Sequence, residues 1–126
     1  MEVLDLDLLR PEQKIIKLGG KEIDVSFIPC GITFEVDRIT REIGALDFEK
    51  VQEGGDETEK AFKLSMQLCA VFCQINNPEM DEAWFKRHAN PQQVNALVTE
   101  IKSTLYKGYE QVQGYQGNAP AAKPKK

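Results

Sequence analysis

Two short apolar segments on either side of a glycine pair restrict this fold more than any other feature. Residues 14–29 read KIIKLGGKEIDVSFIP, and Gly19-Gly20 can take the positive φ angles of a two-residue hairpin turn. Such a turn sets Ile16 opposite Ile23 and places the apolar side chains of both arms on one face. Because a lone hairpin is marginal in water, this face has to lie against helices, another strand or another subunit.

The second arm and the region after it predict a strand followed by an amphipathic helix. The strand is expected to extend to Pro29, which cannot donate a ladder hydrogen bond. Thr33 is then a candidate N-cap. Apolar residues recur after it at the three- and four-residue spacing of a helix, at Val36, Ile39, Ile43 and Leu46. Gly44 weakens this helix and Gly54-Gly55 stops any continuation, so we expect a break after residue 43.

Residues 56–75 predict the central helix of the molecule. Asp56 and Glu59 lie where a first helical turn would begin, and acids there complement the helix dipole. From residue 61 to residue 75 the segment is apolar nearly all round. A helix of that kind is expected to be surrounded by other elements.

Two Asn-Pro pairs are each expected to open a further helix. Asn can accept a hydrogen bond from a free backbone N–H, and Pro at the first helical position loses no hydrogen bond. Asn77-Pro78 therefore predicts a short helix that carries Trp84 and Phe85. Asn90-Pro91 predicts a longer one, with Gln93 completing a capping box. Its apolar stripe consists of Val94, Leu97, Val98, Ile101, Leu105 and Tyr109.

Together these elements predict an α+β fold that is mainly α, with an N-terminal β-hairpin packed on a bundle of about four helices. Residues 1–113 fit a single α+β domain by length. Residues 114–126 have too few apolar groups to offset their ordering entropy and are expected to be a disordered C-terminal tail. Near the N-terminus Leu4, Leu6 and Leu8 alternate with acids, which predicts an additional strand or pairing with a neighbouring subunit's sheet edge.

Charge and composition exclude several classes of partner. The formal net charge is −4, and since residues 114–126 carry three lysines and no acid, residues 1–113 carry −7. An acidic body repels phosphate, so nucleic-acid binding is not expected. No apolar run approaches the length of a membrane span and no cationic leader precedes one, so the chain is expected in the cytoplasm, away from the membrane.

Each candidate catalytic or metal-binding residue is better explained by a structural role. We therefore expect no enzymatic activity, no cofactor and no bound metal. Cys69 and Cys73 are one helical turn apart but lack two further ligands, which favours buried free thiols. His88 could act as a general base only with an orienting acid and a nucleophile nearby, and the local sequence suggests neither. Gly19-Gly20-Lys21 lacks the spacing of a phosphate loop, and the acidic clusters at 56–59 and 79–82 fit helix starts.

Aromatic and apolar residues on the last two predicted helices are the candidates for binding a partner. Trp84 and Phe85 point about 100° apart on a helix, so one ring could face a partner, although both could also pack between helices. The full set of candidate partner-binding residues is Trp84, Phe85, Val98, Tyr106 and Tyr109.

The order of the segments resembles a known family. Residues 16–25 have the form I-x-L-x-G-K-E-x-D-V, and after the helical region and a short acidic-aromatic segment residues 90–98 read NPQQVNALV. Over about residues 14–110 this layout is similar to that of the small tail assembly chaperones of long-tailed bacteriophages and of related prophage and tailocin clusters. The N-terminal extension, residues 1–10, and the strongly apolar central helix depart from the simplest form of the pattern.

The resemblance implies a non-enzymatic protein that holds the tape measure protein while the tail tube assembles and is absent from the finished particle. The expected partners are the tape measure protein or another tail protein, with a homo-oligomer left open. The family brings no catalytic residues to this chain. The alternative is a structural tail connector or completion protein that stays in the particle.

Overall fold

A computed structural model describes residues 3–115 and shows an α+β fold that is mainly helical, as the sequence predicts. A 3₁₀ helix and a two-stranded antiparallel hairpin come first, and five α-helices follow. In chain order the elements are the 3₁₀ helix Leu6–Leu9, β1 Ile15–Leu18, β2 Lys21–Asp24, α1 Cys30–Gly44, α2 Phe48–Glu53, α3 Asp56–Cys73, α4 Glu82–His88 and α5 Pro91–Gly114.

The hairpin has the predicted register and turn. Ile16 lies opposite Ile23, and the turn glycines have φ angles of 59° and 80°. The strand ends at Asp24, however, and not at Pro29 as predicted. The Asp24 carboxylate accepts hydrogen bonds from the N–H and the hydroxyl of Ser26, which bends the chain out of the ladder. A short polar side chain thus ends the strand before the proline is reached.

Helix α1 begins three residues earlier than its predicted cap. Pro29 occupies the N-cap position, and Thr33 lies inside the helix, where its hydroxyl donates to the Pro29 carbonyl over 3.0 Å. The prediction of Thr33 as N-cap is therefore wrong. The predicted break is confirmed, because α1 ends at Gly44 and the short helix α2 ends before the positive-φ pair Gly54-Gly55.

Helix α3 is central, as predicted, and contacts α1, α2, α4 and α5. Only its second half is buried, and the buried residues are Leu68, Cys69, Ala70, Phe72 and Cys73. In the first half Phe62 remains partly exposed. The apolar pattern predicts a helix surrounded by other elements, but only about half of the helix is fully buried.

The two Asn-Pro pairs behave differently. Asn90 and Gln93 form the predicted capping box at the start of α5, with bonds of 2.8 and 2.9 Å. Asn77-Pro78 does not open a helix, which contradicts the prediction. The Asn77 amide instead donates to the Glu22 carbonyl of the hairpin over 3.1 Å, and α4 starts only after Asp81, whose carboxylate caps it.

A single hydrophobic core joins the hairpin to the helices. Its large buried members are Leu18, Ile23, Val25, Val36, Ile39, Leu68, Phe72, Met80, Phe85, Val94, Leu97, Val98, Ile101 and Leu105. The hairpin thus buries its apolar face against helices of its own chain, one of the solutions the sequence left open.

The N-terminal segment is not the predicted strand, and the last helix reaches almost to the end of the described residues. Residues 3–10 form no strand, contrary to the prediction of an additional one, and residues 6–9 form a 3₁₀ helix without buried side chains. Helix α5 continues to Gly114. Residues 116–126 of the expected tail lie outside the described residues.

Candidate partner-binding surface

The structure separates the five candidate partner-binding residues into exposed and buried ones. Tyr106 and Tyr109 are exposed on α5, at 52% and 38%, and Trp84 is half-buried. Phe85 and Val98 belong to the core. Neither has surface to offer a partner in this conformation, because the neighbouring elements already cover both side chains.

The Trp84-Phe85 pair packs at the join between α4 and the hairpin. The Trp84 and Phe85 rings meet edge to face with centroids 5.0 Å apart, and the other side of Trp84 lies 5.0 Å from the His88 ring. The indole also lies against Gly19 of the hairpin turn. Both rings therefore have structural contacts, which was the alternative to a partner-binding role.

An exposed apolar surface runs along the neighbouring helices α1 and α5. We call it the α1/α5 face and define it by Phe34, Tyr106, Tyr109 and Val112. Phe34 is 86% exposed and Val112 is 75% exposed. The Tyr109 hydroxyl donates to the Asp37 carboxylate over 3.0 Å, which joins the two helices at this surface. Phe34 precedes Asp37 by one helical turn and so lies on the same side of α1.

Sequence reasoning missed Phe34, although the signal for it was present. The buried stripe of α1 contains Val36 and Ile39. Position 34 is two residues from position 36, which corresponds to about 200° around a helix and therefore to the opposite side. A large aromatic residue there has no core to enter.

An ion pair within α1 supports the carboxylate that Tyr109 binds. Arg41 donates from Nε to the Asp37 carboxylate over 2.8 Å. The Arg41 hydrogen bond, assisted by that of Tyr109, lowers the pKa of Asp37 below its usual value. Partial burial, together with the hydrogen bond to Asp37, raises the pKa of Tyr109. The carboxylate therefore stays ionised and the phenol protonated at neutral pH, so that the link between the helices is kept.

A groove of about 690 Å³ lies beside the α1/α5 face. We call it the α5 groove; its walls are residues 11–14, residues 25–28, Cys30 and Thr33 of α1, and residues of α5 between 100 and 112. Tyr109 and Val112 belong both to this groove and to the α1/α5 face. The Thr104 hydroxyl donates to the Val25 carbonyl over 2.8 Å, and Lys14 pairs with Glu100 over 2.7 Å. These two contacts fix the distance between the walls.

The segment that precedes Pro11, the first groove residue in the sequence, exposes a second set of apolar side chains. We call residues 3–9 the leucine segment; its exposed members are Val3, Leu4, Leu6, Leu8 and Leu9, at 47–81% exposure. Arg10 follows, with its guanidinium 4.5 Å from the centre of the Phe27 ring. This contact attaches the end of the segment to the groove wall.

The two buried thiols and the histidine lie outside these surfaces, whereas the exposed Cys30 lines the α5 groove. Cys69 and Cys73 are buried free thiols, as predicted, and burial raises the pKa of Cys73 to about 12 and that of Cys69 further. Both thiols therefore remain protonated at neutral pH. His88 ends α4 in an exposed position. Within residues 3–115, no three His, Cys, Asp or Glu side chains are grouped to hold a metal ion.

None of the helices between residues 3 and 115 combines the length and the apolar character needed to cross a bilayer. Comparisons with protein-family models, with curated proteins and with solved structures each found no match to the chain.

Proposed function

We propose that this chain is a non-enzymatic tail assembly chaperone that binds the tape measure protein of a long-tailed phage or phage-derived tail. The link to tail assembly comes from the resemblance of residues 16–25 and 90–98 to that family. The observation that carries a binding role is the α1/α5 face, where four large apolar or aromatic side chains are exposed on two helices.

The geometry of this face suits a helical client. Tyr106, Tyr109 and Val112 are spaced by three residues along α5 and so form a stripe inclined to its axis, each residue being displaced about 60° around the helix from the one before. Phe34 on α1 stands beside that stripe. A client helix that places an apolar stripe of its own along this seam would bury all four side chains in a helix-to-helix contact. Aromatic residues contribute strongly to such interfaces, since they bury a large area with few rotatable bonds.

Co-expression with the tape measure protein tests the proposal. We expect a client that aggregates when produced alone to remain soluble and to copurify with the chain. In assembled tails, quantitative mass spectrometry should find the chain absent or far below the stoichiometry of tail subunits. Stoichiometric presence in finished tails would reject the chaperone role and favour a connector or completion protein.

A further inference from the structure

We propose that the leucine segment of one copy of this chain docks into the α5 groove of a second copy, and that the exchange is reciprocal. The result is a dimer with two identical contacts. The proposal does not depend on the tail assembly function, because both surfaces belong to this chain.

The leucine segment has the properties of a docking segment. All of its large apolar side chains are exposed, and residues 6–9 are already folded into a 3₁₀ turn. The turn is closed locally, since the Asp5 carboxylate accepts the Asp7 N–H over 3.0 Å. A preformed turn loses less conformational entropy on binding than an unfolded peptide does. A contiguous exposed apolar cluster of this kind is typical of an interaction surface.

The α5 groove offers complementary chemistry. Val25, Phe27, Leu105 and Val112 give it apolar walls. Among its charged lining residues Lys14 pairs with Glu100, whereas Glu12 and the Lys107 cation form no ion pair with any residue between 3 and 115.

The acids of the leucine segment match that cation. Asp5 and Asp7 are likewise without an ion pair in the described part of the chain. In the docked segment the leucines would pack on the apolar groove walls, and the aspartates would lie near Lys107. Both the apolar and the charged groups would then have partners.

The connection between segment and groove favours a second copy as the source of the occupant. The groove wall starts at Pro11, and Arg10 is held on the Phe27 ring of that wall. In its own chain the segment leaves the wall at this point, and none of residues 3–10 lines the groove. Two copies that face each other groove to groove across a twofold axis need only extend each segment across the axis. Such an isologous contact is closed and ends at the dimer.

Sedimentation equilibrium of the purified full-length chain tests the association. We expect a concentration-dependent dimer for the wild type and a dissociation constant raised at least about tenfold by Leu6→Ser with Leu8→Ser. Ser103→Trp, which fills the groove from an exposed helix position, should weaken the dimer in the same way. Phe48→Ser removes an exposed ring on α2 that does not line the groove, and it should leave the dimer unchanged.

Disulfide trapping then identifies the contact. Cys30 is exposed and lines the groove, whereas Cys69 and Cys73 are buried and protected from reaction. In the Leu8→Cys variant, mild oxidation with diamide should link the introduced thiol to Cys30 of another copy. The product is a dimer on a non-reducing gel, with the linkage confirmed by peptide mass spectrometry.

The control for trapping is Phe48→Cys, which should link to Cys30 far more slowly. Three results would overturn the proposal: a wild-type chain that stays monomeric at high concentration, a Leu8→Cys disulfide formed within one chain, or equal trapping by the control. The first would show no self-association, the second that the segment fills its own groove, and the third that trapping reflects random collision.

Discussion

At the hairpin turn, two neighbouring glycines differ in their surroundings. Both have positive φ, but a Cβ on Gly19 would lie 2.9 Å from the Trp84 ring, whereas a Cβ on Gly20 would have no atom within 4 Å. We expect Gly20→Ala to lower the free energy of unfolding by about 1–2 kcal/mol through backbone strain alone. Gly19→Ala should cost more, because the indole also has to move. Urea denaturation of both variants checks this, and equal losses would contradict the packing of Trp84 on the turn.

Thr40 is a buried residue of α1 whose hydroxyl has no hydrogen-bond partner among the described residues. Replacing that hydroxyl by a methyl group removes the cost of burying an unsatisfied polar atom. Thr40→Val should therefore raise the free energy of unfolding by about 1 kcal/mol. The matched control is Thr104→Val, which should lower it by a similar amount, because the single proton of the Thr104 hydroxyl is shared between the carbonyls of Val25 and Glu100, both within hydrogen-bond distance. Thermal denaturation of the two variants should shift in opposite directions.

At the scale of elements, the start of α5 depends on its capping box. Asn90→Ala removes the acceptor for the Gln93 N–H and should lower the free energy of unfolding by about 1 kcal/mol. Thr33→Ala is the comparison, since Thr33 lies inside α1 and caps nothing. We expect a clearly smaller effect there, measured by chemical denaturation. A larger loss for Thr33→Ala would mean that α1 begins where the sequence alone suggested.

The elements that the sequence predicts correctly are those set by local interactions. The glycine pair determines the hairpin turn and hence the pairing of Ile16 with Ile23. The reciprocal bonds of Asn90 and Gln93 likewise join residues three apart in the chain. In both cases the residues that define the feature are neighbours in sequence.

The wrong predictions involve competing contacts that sequence spacing does not show. Asn77 resembles a helix cap, but its amide reaches the hairpin carbonyl of Glu22, 55 residues away along the chain. Asp24 ends its strand by binding Ser26. In the leucine segment, the alternation of leucines and acids fits a strand, but the Asp5 carboxylate closes a turn first.

For the molecule as a whole, folding links stability to pH by lowering the pKa of three carboxyl groups, those of Asp37, Asp24 and the more exposed Glu79. The Arg41 hydrogen bond lowers the pKa of Asp37. Partial burial raises the pKa of Asp24, but the hydrogen bonds from Ser26 and Gln13, together with the charge of Arg10, lower it overall, so that the pKa of both aspartates is lowered. Each contributes stability that is complete above its unfolded value near 3.8 and is lost as the pH falls through the lower folded value. We therefore expect unfolding free energy to be insensitive to these groups above about pH 5 and to fall below about pH 4.

The Asp37→Asn variant isolates one of these contributions. It should be less stable than wild type at pH 7 and approach wild type as the pH is lowered, because protonation removes the same charge. Glu110→Gln is the control, since Glu110 has no hydrogen bond or ion pair from its side chain in the described range. A constant stability difference between Asp37→Asn and wild type at every pH would contradict the proposed linkage.

The candidate binding surface was only partly predictable, because it arises where two helices meet. Tyr106 and Tyr109 were identified from the sequence, but Phe34 joins them only through the side-by-side arrangement of α1 and α5. Phe85 and Val98 have the same residue character as a partner surface, and only the packing of α4 and α5 shows that they are in the core. Residue type therefore gave candidates, and tertiary structure separated exposed from buried ones.

The central claim is that the α1/α5 face binds the tape measure protein. The most direct test is isothermal titration of a soluble tape measure fragment into wild type and into the Phe34→Ser, Tyr106→Ser double variant, with Phe48→Ser as the control. We predict a dissociation constant at least about tenfold higher for the double variant and an unchanged one for the control, with all three proteins equally folded by circular dichroism. Equal affinity of the double variant and wild type would contradict the account.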